Sequence, residues 1–454
     1  MGHCFVLATG SETGNTFTHN LGADTLNAPI GKLMSTAETD TNAATFCTAN
    51  PNNSWKNNAA AGSKSSGMWF ELLDTVRGYG SKYYPLITPS TASIGSFVGN
   101  VFHTNGIDGL RFYPNGWYPS TIATLSGTKS FRNWRDGIYF QSTGSVVVDG
   151  GVFADNLMGS EIDKNCENIT VTGATIIGYS DLYKNQVTEG GLASHCPAFM
   201  PLIGVQLQSY LLSPDSVGFS LSNIEFSNFD AASSGCVGSR AIDVDPDPRD
   251  DHFSAYSKFT GLTYASSPAT FNLCGIVTIG VNDVMIRDDN DSNDPSGNKN
   301  PGFIVNAGFA GAPFLASVGC VDIAGACAQY CPNVCIRALD VAISPDSAWE
   351  GVNLFVKTGA VTAVFPTFFE AKTTLVNNTA VPDVSANAYT QRRRFATAFL
   401  LPGANYTMTF KSSSGPVVWP TFVESYFVHL PSSMETLKWV TIEHGLPLET
   451  LPWR

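Results

Sequence analysis

The sequence predicts an all-β protein, a parallel β-helix (solenoid) followed by a small β-sandwich-like domain. Three observations carry that expectation. Val148-Asp149-Gly150-Gly151-Val152-Phe153 aligns with Val171-Thr172-Gly173-Ala174-Thr175-Ile176 and with Leu221-Ser222-Asn223-Ile224-Glu225-Phe226, at offsets of 23 and 50 residues from one to the next. A second pattern, Phe102…Asn105…Gly109…Phe112, recurs as Phe131…Asn133…Gly137…Phe140 and as Phe153…Asn156…Gly159…Ile162. Alternating β-formers punctuated by Asn and Gly at this interval mark stacked coils, with Gly and Asn taking left-handed corners. Finally, charged residues make up only 14% of 454 and glycines number 42. Soluble domains usually carry about 25% charged residues, so the surface here is clothed in Ser, Thr, Asn and Gly.

Along the chain, residues 1–95 read as irregular, rich in Gly, Asn, Thr and Pro. Residues 96–285 hold the recognisable coils, the PbH1-type repeats. They include Gly204-Val205-Gln206-Leu207-Gln208-Ser209, which echoes Gly137-Ile138-Tyr139-Phe140-Gln141-Ser142. Insertions at 179–200 and 245–258 would leave the coils as loops, and in solenoids such loops commonly build the binding surface. Residues 286–302 form an Asp/Asn/Gly/Pro turn region. From about 338 the coil interval is lost, and strands near 351–356, 395–401 and 406–410 follow, the last two as a hairpin-like pair. The expected division is therefore 1–337 for the β-helix and 338–454 for a small β-domain.

The net charge of −13 lacks the basic footprint of a nucleic-acid partner. Arg392-Arg393-Arg394 is an isolated basic triplet. Among ten cysteines, Cys320, Cys327, Cys331 and Cys335 are dense. The x3 spacings of Cys327, Cys331 and Cys335 invite a zinc reading, but zinc ribbons normally use paired Cys-x2-4-Cys knuckles far apart and no histidine lies close by, so a disulfide-stapled loop is preferred, with pairing open. It implies an oxidising compartment. Asn52, Asn168, Asn290, Asn377 and Asn405 head sequons for glycosylation. No apolar run of membrane-spanning length occurs. Met1-Gly2-His3-Cys4-Phe5 has no leader character, and the expectation is a piece of a longer secreted chain.

Gly2-His3-Cys4-Phe5 with Asn15-Thr16-Phe17…Asn20-Leu21-Gly22, and Thr45-Phe46…Asn50-Pro51-Asn52-Asn53…Asn58-Ala59-Ala60-Ala61-Gly62-Ser63…Gly67-Met68-Trp69-Phe70, resemble blocks of one family. It is the group of the cell-migration-inducing hyaluronan-binding protein, cell surface hyaluronidase and fibrocystin-L. Phe97…Asn100…His103…Gly109-Leu110, Phe131-Arg132-Asn133-Trp134…Gly137, Phe153-Ala154-Asp155-Asn156 and Arg287-Asp288…Pro301-Gly302-Phe303 follow in the same order. The resemblance is collinear over roughly residues 1–340. It implies a right-handed β-helix, an extracellular or membrane-anchored parent with an upstream G8 domain, and, for some relatives, hyaluronan binding or depolymerisation. Fibrocystin-L implies the alternative, a structural or adhesion scaffold. No catalytic motif of the family carries over residue by residue.

Three groups of residues could carry chemistry. In the acidic run Asp243, Asp245, Asp247, Asp250, Asp251 and His252, Asp243 and Asp245 would project from one strand if Ile242 and Val244 face inward. A carboxyl pair of that kind serves glycoside hydrolysis; a solvated acidic turn or a calcium loop are the competing readings. Asp288, Asp289, Asp291 and Asp294 place oxygen ligands at spacings that suit Ca2+, although the Gly and bidentate Glu of an EF-hand are missing. Finally, His103, Asp108, Arg111, Arg132, Arg135 and Asp136 with Trp117, Tyr118 and Trp134 could form a sugar-binding strip. Aromatic faces cover pyranose rings, and Arg forks suit uronate carboxylates. The competing reading is that Trp134 packs under a loop while Arg132 and Arg135 bridge coils. The expected function is extracellular binding of a polysaccharide, in particular an anionic one, within a glycan-depolymerising enzyme or, alternatively, a non-catalytic scaffold.

Overall fold

The computed structural model describes residues 2–29, 42–163, 166–180, 202–207, 218–230, 238–244, 257–266, 271–274, 284–289, 293, 300–343, 352–366, 368–369, 374–376, 379–381, 394–401, 403–412 and 439–442. Short strands, mostly of three to six residues, recur in threes, and each pairs in parallel with the strand one coil away. Three sheets result. Sheet A runs from Phe5–Leu7 through Met68–Phe70, Leu110–Phe112, Asp136–Phe140, Met158–Ile162, Ile203–Leu207 and Arg240–Val244 to Phe271–Asn272. Sheet B includes Ser54–Lys56, Gly144–Asp149 and Glu167–Thr172, and sheet C includes Val101–His103, Lys129–Phe131 and Val152–Ala154. The chain is a parallel β-helix.

The repeats seen in the sequence are the coil register itself. Val148 pairs with Val171 and Val171 with Leu221 in sheet B, while Phe153 pairs with Ile176 and Ile176 with Phe226 in sheet C. Inward side chains form continuous stacks, such as Phe70, Phe112 and Phe140, with ring centroids 4.7 and 5.1 Å apart. Full burial of one such ring contributes roughly 1.5–3 kcal/mol. Between sheets B and C the corner residue is left-handed in coil after coil. Asn57, Gly99, Gly127, Gly150, Gly173, Asn223 and Gly261 all have φ between 51° and 69°, conformations that Gly and Asn adopt at low cost.

The second repeat needs a one-residue correction. Ser130, not Phe131, continues the inward line from Phe102 to Phe153, and Phe131 pairs with His103 on the outer face. The reason is space. A Cβ on Gly109 would already lie 1.9 Å from Ser130 Oγ, so a ring at position 130 has no room. The Asn members do stack: the Asn133 side-chain oxygen accepts from the Asn105 backbone N and Nδ2 (3.2 and 2.8 Å), and Asn156 repeats this for Asn133 (3.0 Å each).

The described stretches 2–29 and 42–70 are coiled rather than irregular. Phe5–Leu7, Thr16–Thr18 and Leu21–Ala23 open the three sheets and pair with Phe46–Thr48, Ser54–Lys56 and Ala59–Ala61. Trp55 and the alanines obscured the alternation. At the other end, Met285–Asp288 takes an antiparallel partner, Gly302–Asn306, followed by Ala328–Pro332. Beyond it, Arg337–Ile343, Arg394–Leu400 and Phe368–Phe369 form one sheet. Val361–Pro366, Val352–Thr358, Asn405–Ser412 and Trp439–Ile442 form another. The expected hairpin of 395–401 with 406–410 does not exist, because these strands belong to different sheets. Leu354, Val356, Phe365, Phe399 and Met408 share a core with Val305, Phe309 and Phe314 of the antiparallel segment.

Cys320 is bonded to Cys331, and Cys327 to Cys274. The expected four-cysteine staple is corrected in two ways: Cys274 enters it, and Cys335 keeps a free thiol. No helix among the described residues is long and apolar enough to cross a membrane.

Candidate functional site

The outer face of sheet A gathers the chemistry. Counting from the aligned glycines Gly67, Gly109, Gly137, Gly159 and Gly204, the residue two positions on lies on the outer side of sheet A, and register continues the line to Asp243 and Asn272; of this column only Arg111 is not buried. This column reads Trp69, Arg111, Tyr139, Glu161, Gln206, Asp243 and Asn272, each paired with the next. Glu71, Tyr113, Gln141 and Asp163 form a parallel column two residues further along, and Ser66, Asp108 and Asp136 precede the glycines. The glycines are obligatory here, since a Cβ on Gly137 would sit 2.4 Å from the Gly159 carbonyl oxygen.

Arg111 lies flat among three rings, 5.5 Å from the Trp69 centroid, 4.3 Å from Tyr113 and 5.5 Å from Tyr139. Such stacking is a property of the planar guanidinium. Its ion pair to Asp108 is loose, at 3.5 Å, and its Nε is buried without a hydrogen-bond partner. Arg135 reaches across one coil. It holds Glu161 through Nη2, approaches Asp136 Oδ2 with Nε at 3.3 Å, and rests 5.0 Å over Tyr139. The Tyr139 hydroxyl donates to Asp163 at 2.7 Å.

Asp108 and Asp136 are fully buried, Glu161 nearly so, and the Arg135 side chain above them is 38% exposed. Burial pushes the Asp136 carboxyl well above the usual carboxylate range, and the neighbouring Glu161 and Asp108 add to the rise against the pull of Arg135. Asp108 and Glu161 are raised as well, by burial first. Neither oxygen of Asp136 receives a well-formed hydrogen bond; a proton on Asp136 turns it into a donor toward Glu161. Burial opposes the charge on Arg135, but Asp136, Glu161 and Asp108 outweigh it and raise its pKa.

The structure thus assembles Asp108, Arg111, Arg135 and Asp136 from the predicted strip and disperses the rest. Trp134 precedes Arg135 at the corner and is 55% exposed. Trp117 is wholly buried against Phe70 and Phe112, donating to the Ala92 carbonyl at 3.0 Å, and offers no face to a sugar. Tyr118 packs over Gly144. His103 stacks on Phe131 at 4.9 Å on sheet C, a different face, where burial and Arg132 lower its pKa. Arg132 occupies the next corner with φ 57°. Trp69, Tyr113, Tyr139, Glu161 and Asp163 were missed. Reading two places past each aligned glycine finds Trp69, Tyr139 and Glu161.

Of the acidic run, Asp243 faces outward in the same column, bonded by Asn272 Nδ2 at 2.8 Å and paired with Arg240 at 3.2 Å, while Ile242 and Val244 are buried. Asp245, Asp247, Asp250, Asp251 and His252 lie outside the described residues. Asp288 is buried and accepts from Asn293 N and Nδ2 at 3.0 and 2.9 Å; Asp289 pairs with Arg287. Asp291 and Asp294 lie outside the described residues. Among the described residues no group of three or more His, Cys, Asp or Glu is arranged to hold a metal ion. Asn52 and Asn405 are exposed and Asn168 half-buried; Asn290 and Asn377 lie outside the described residues.

Residues 1–110 match the family model described as CEMIP beta-helix. The human cell surface hyaluronidase CEMIP2 is 29% identical over 208 residues, covering 35% of this chain and 15% of that protein. Mouse fibrocystin-L is 25% identical over 281 residues, covering 59% and 6%. The human cell migration-inducing and hyaluronan-binding protein is 33% identical over 124 residues, covering 23% and 9%. The family resemblance drawn from the sequence blocks is borne out, and the chain spans between 6% and 15% of the length of these three relatives. Among solved structures, the enzymatically active domain of bacteriophage CBA120 tailspike protein 2 is similar with a TM-score of 0.29 and 12% identity, covering 70% of this chain and 54% of that one. The AlgE4 A-module of Azotobacter vinelandii mannuronan C-5 epimerase gives a TM-score of 0.18 and 13% identity, covering 51% and 72%. Similarity of that size aligns no site with another.

Proposed function

We propose that this chain is a polysaccharide-binding β-helix whose binding face is the outer surface of sheet A, and that it works outside the cell. The observation that carries the reading is the guanidinium pair Arg111 and Arg135: Arg111 lies among Trp69, Tyr113 and Tyr139 with its side chain 14% exposed, and Arg135, 38% exposed, rests over Tyr139. A uronate carboxylate accepts from the exposed edges of such forks, and the half-buried Tyr113 ring offers the sugar an apolar face. Relatives whose names carry hyaluronidase or hyaluronan binding, together with two disulfides, support the glycan and extracellular parts of the reading.

Binding is favoured over cleavage by one feature. A carboxyl whose pKa is raised beside a second carboxyl is the equipment of glycoside hydrolysis, and Asp136 next to Glu161 is such a pair. Yet Asp136 is fully buried beneath Arg135, so a glycosidic oxygen does not reach it in this arrangement. The scaffold reading differs in predicting no affinity for any glycan.

The test is affinity electrophoresis of the full chain through gels holding hyaluronan, chondroitin sulfate, alginate or dextran, followed by size analysis of the polymer. Retardation by a uronate-bearing polymer, but not by dextran, with polymer length unchanged, is the expected result. Free migration in all four gels would favour the scaffold, and shortened polymer would make the chain an enzyme.

A further inference from the structure

We infer that Tyr79 and Tyr83 form a second sugar platform, stacking on pyranose rings of the same polymer beside the Trp69–Arg111 part of the outer face of sheet A. This rests on the polysaccharide reading above and extends it to residues outside the coil columns. The loop that carries the two tyrosines leaves sheet A directly after Phe70, and its base is fixed. Arg77 grips both oxygens of Glu71, at 3.0 and 2.7 Å, and its Nε donates to the Ala8 carbonyl at 2.7 Å. Glu71 is itself a member of the outer columns, beside Tyr113. Val76 is buried, and a Cβ on Gly80 would come within 2.8 Å of it and 2.9 Å of Ser11 Oγ.

On this fixed base, Tyr79 and Tyr83 are 76% and 53% exposed. Their ring centroids are 5.1 Å apart at 50°, and their hydroxyls are hydrogen-bonded at 2.9 Å. Two successive peptide units span at most about 7 Å, so the Tyr79 backbone stays close to Arg77 and hence to the Glu71 part of the binding face. Rings held in place at the surface lose little further freedom on binding, and their hydroxyl rims can meet sugar hydroxyls while their faces cover C–H groups. Lys82, with Nζ 5.6 Å from the Tyr83 centroid, adds a cation suited to an anionic polymer.

The experiment compares hyaluronan polymer with its tetrasaccharide on the full chain, using Tyr79→Ala/Tyr83→Ala and Tyr79→Phe/Tyr83→Phe. The alanine variant should bind the polymer roughly tenfold more weakly, with tetrasaccharide affinity and Tm as in the wild type. The phenylalanine variant should stay within about twofold of wild type, because the ring faces are kept. Polymer affinity unchanged by the alanine pair, or lost equally with phenylalanine, overturns the platform while leaving the sheet A reading in place. A wild-type chain that binds none of the four polymers removes both.

Discussion

Asp136 concentrates the unusual electrostatics of the molecule in one side chain. Its folded pKa is raised, so the carboxyl's contribution to stability is full below the unfolded value near 4 and is lost as pH rises through the folded value. Asp136→Asn keeps the shape and removes the charge. Its Tm should exceed that of wild type at pH 7.5, and the gap should close toward pH 4; scanning calorimetry across that range checks it. Protonating Asp108, Asp136 and Glu161 also leaves Arg111 and Arg135 as the dominant local charges, so affinity for a uronate polymer should increase from pH 7.5 to pH 5. Arg111→Lys should weaken binding about as much as Arg111→Ala, roughly tenfold, because an ammonium cannot lie flat among three rings. Asp108, Arg111, Arg135 and Asp136 were legible as a group because they are polar and close in coil phase. Glu161 and Tyr139 lay hidden inside strands that look apolar until the glycines are put in register.

At the level of strands and corners, each inter-coil contact is repeated, and removing one link tests the ladder. Asn133→Ala takes the acceptor from Asn105 and leaves Asn156 with no side-chain amide donor, so denaturant unfolding should show a loss of about 2–4 kcal/mol. Phe112→Ala in the aromatic stack should cost about 3–5 kcal/mol. The coil interval was readable where β-branched residues alternate, as in Val148–Phe153 and its two copies. It was not readable in residues 1–95, where alanines and Trp55 stand in for them, nor at Phe131, where a one-place slip exchanges inside for outside. The turn at 402–404 resembled a hairpin loop because local chemistry does not say which sheet receives the next strand.

Over the whole molecule, the coils need closing at the end where parallel pairing stops, and the disulfides do this. Cys274–Cys327 spans 53 residues and ties the last parallel coil to the antiparallel segment, while Cys320–Cys331 spans 11. Chain-entropy estimates give about 4 and about 3 kcal/mol for loops of these lengths. Cys274→Ser/Cys327→Ser should therefore lower Tm more than Cys320→Ser/Cys331→Ser. The central claim is that the outer surface of sheet A meets the polymer. Its most direct test is the Kd for hyaluronan of Arg111→Ala/Arg135→Ala against a control of equal charge loss, Lys56→Ala/Lys129→Ala, on sheets B and C. The account predicts that the first pair weakens binding by at least about tenfold while the control stays near wild type. Equal weakening by both pairs, or loss confined to the control, would contradict it.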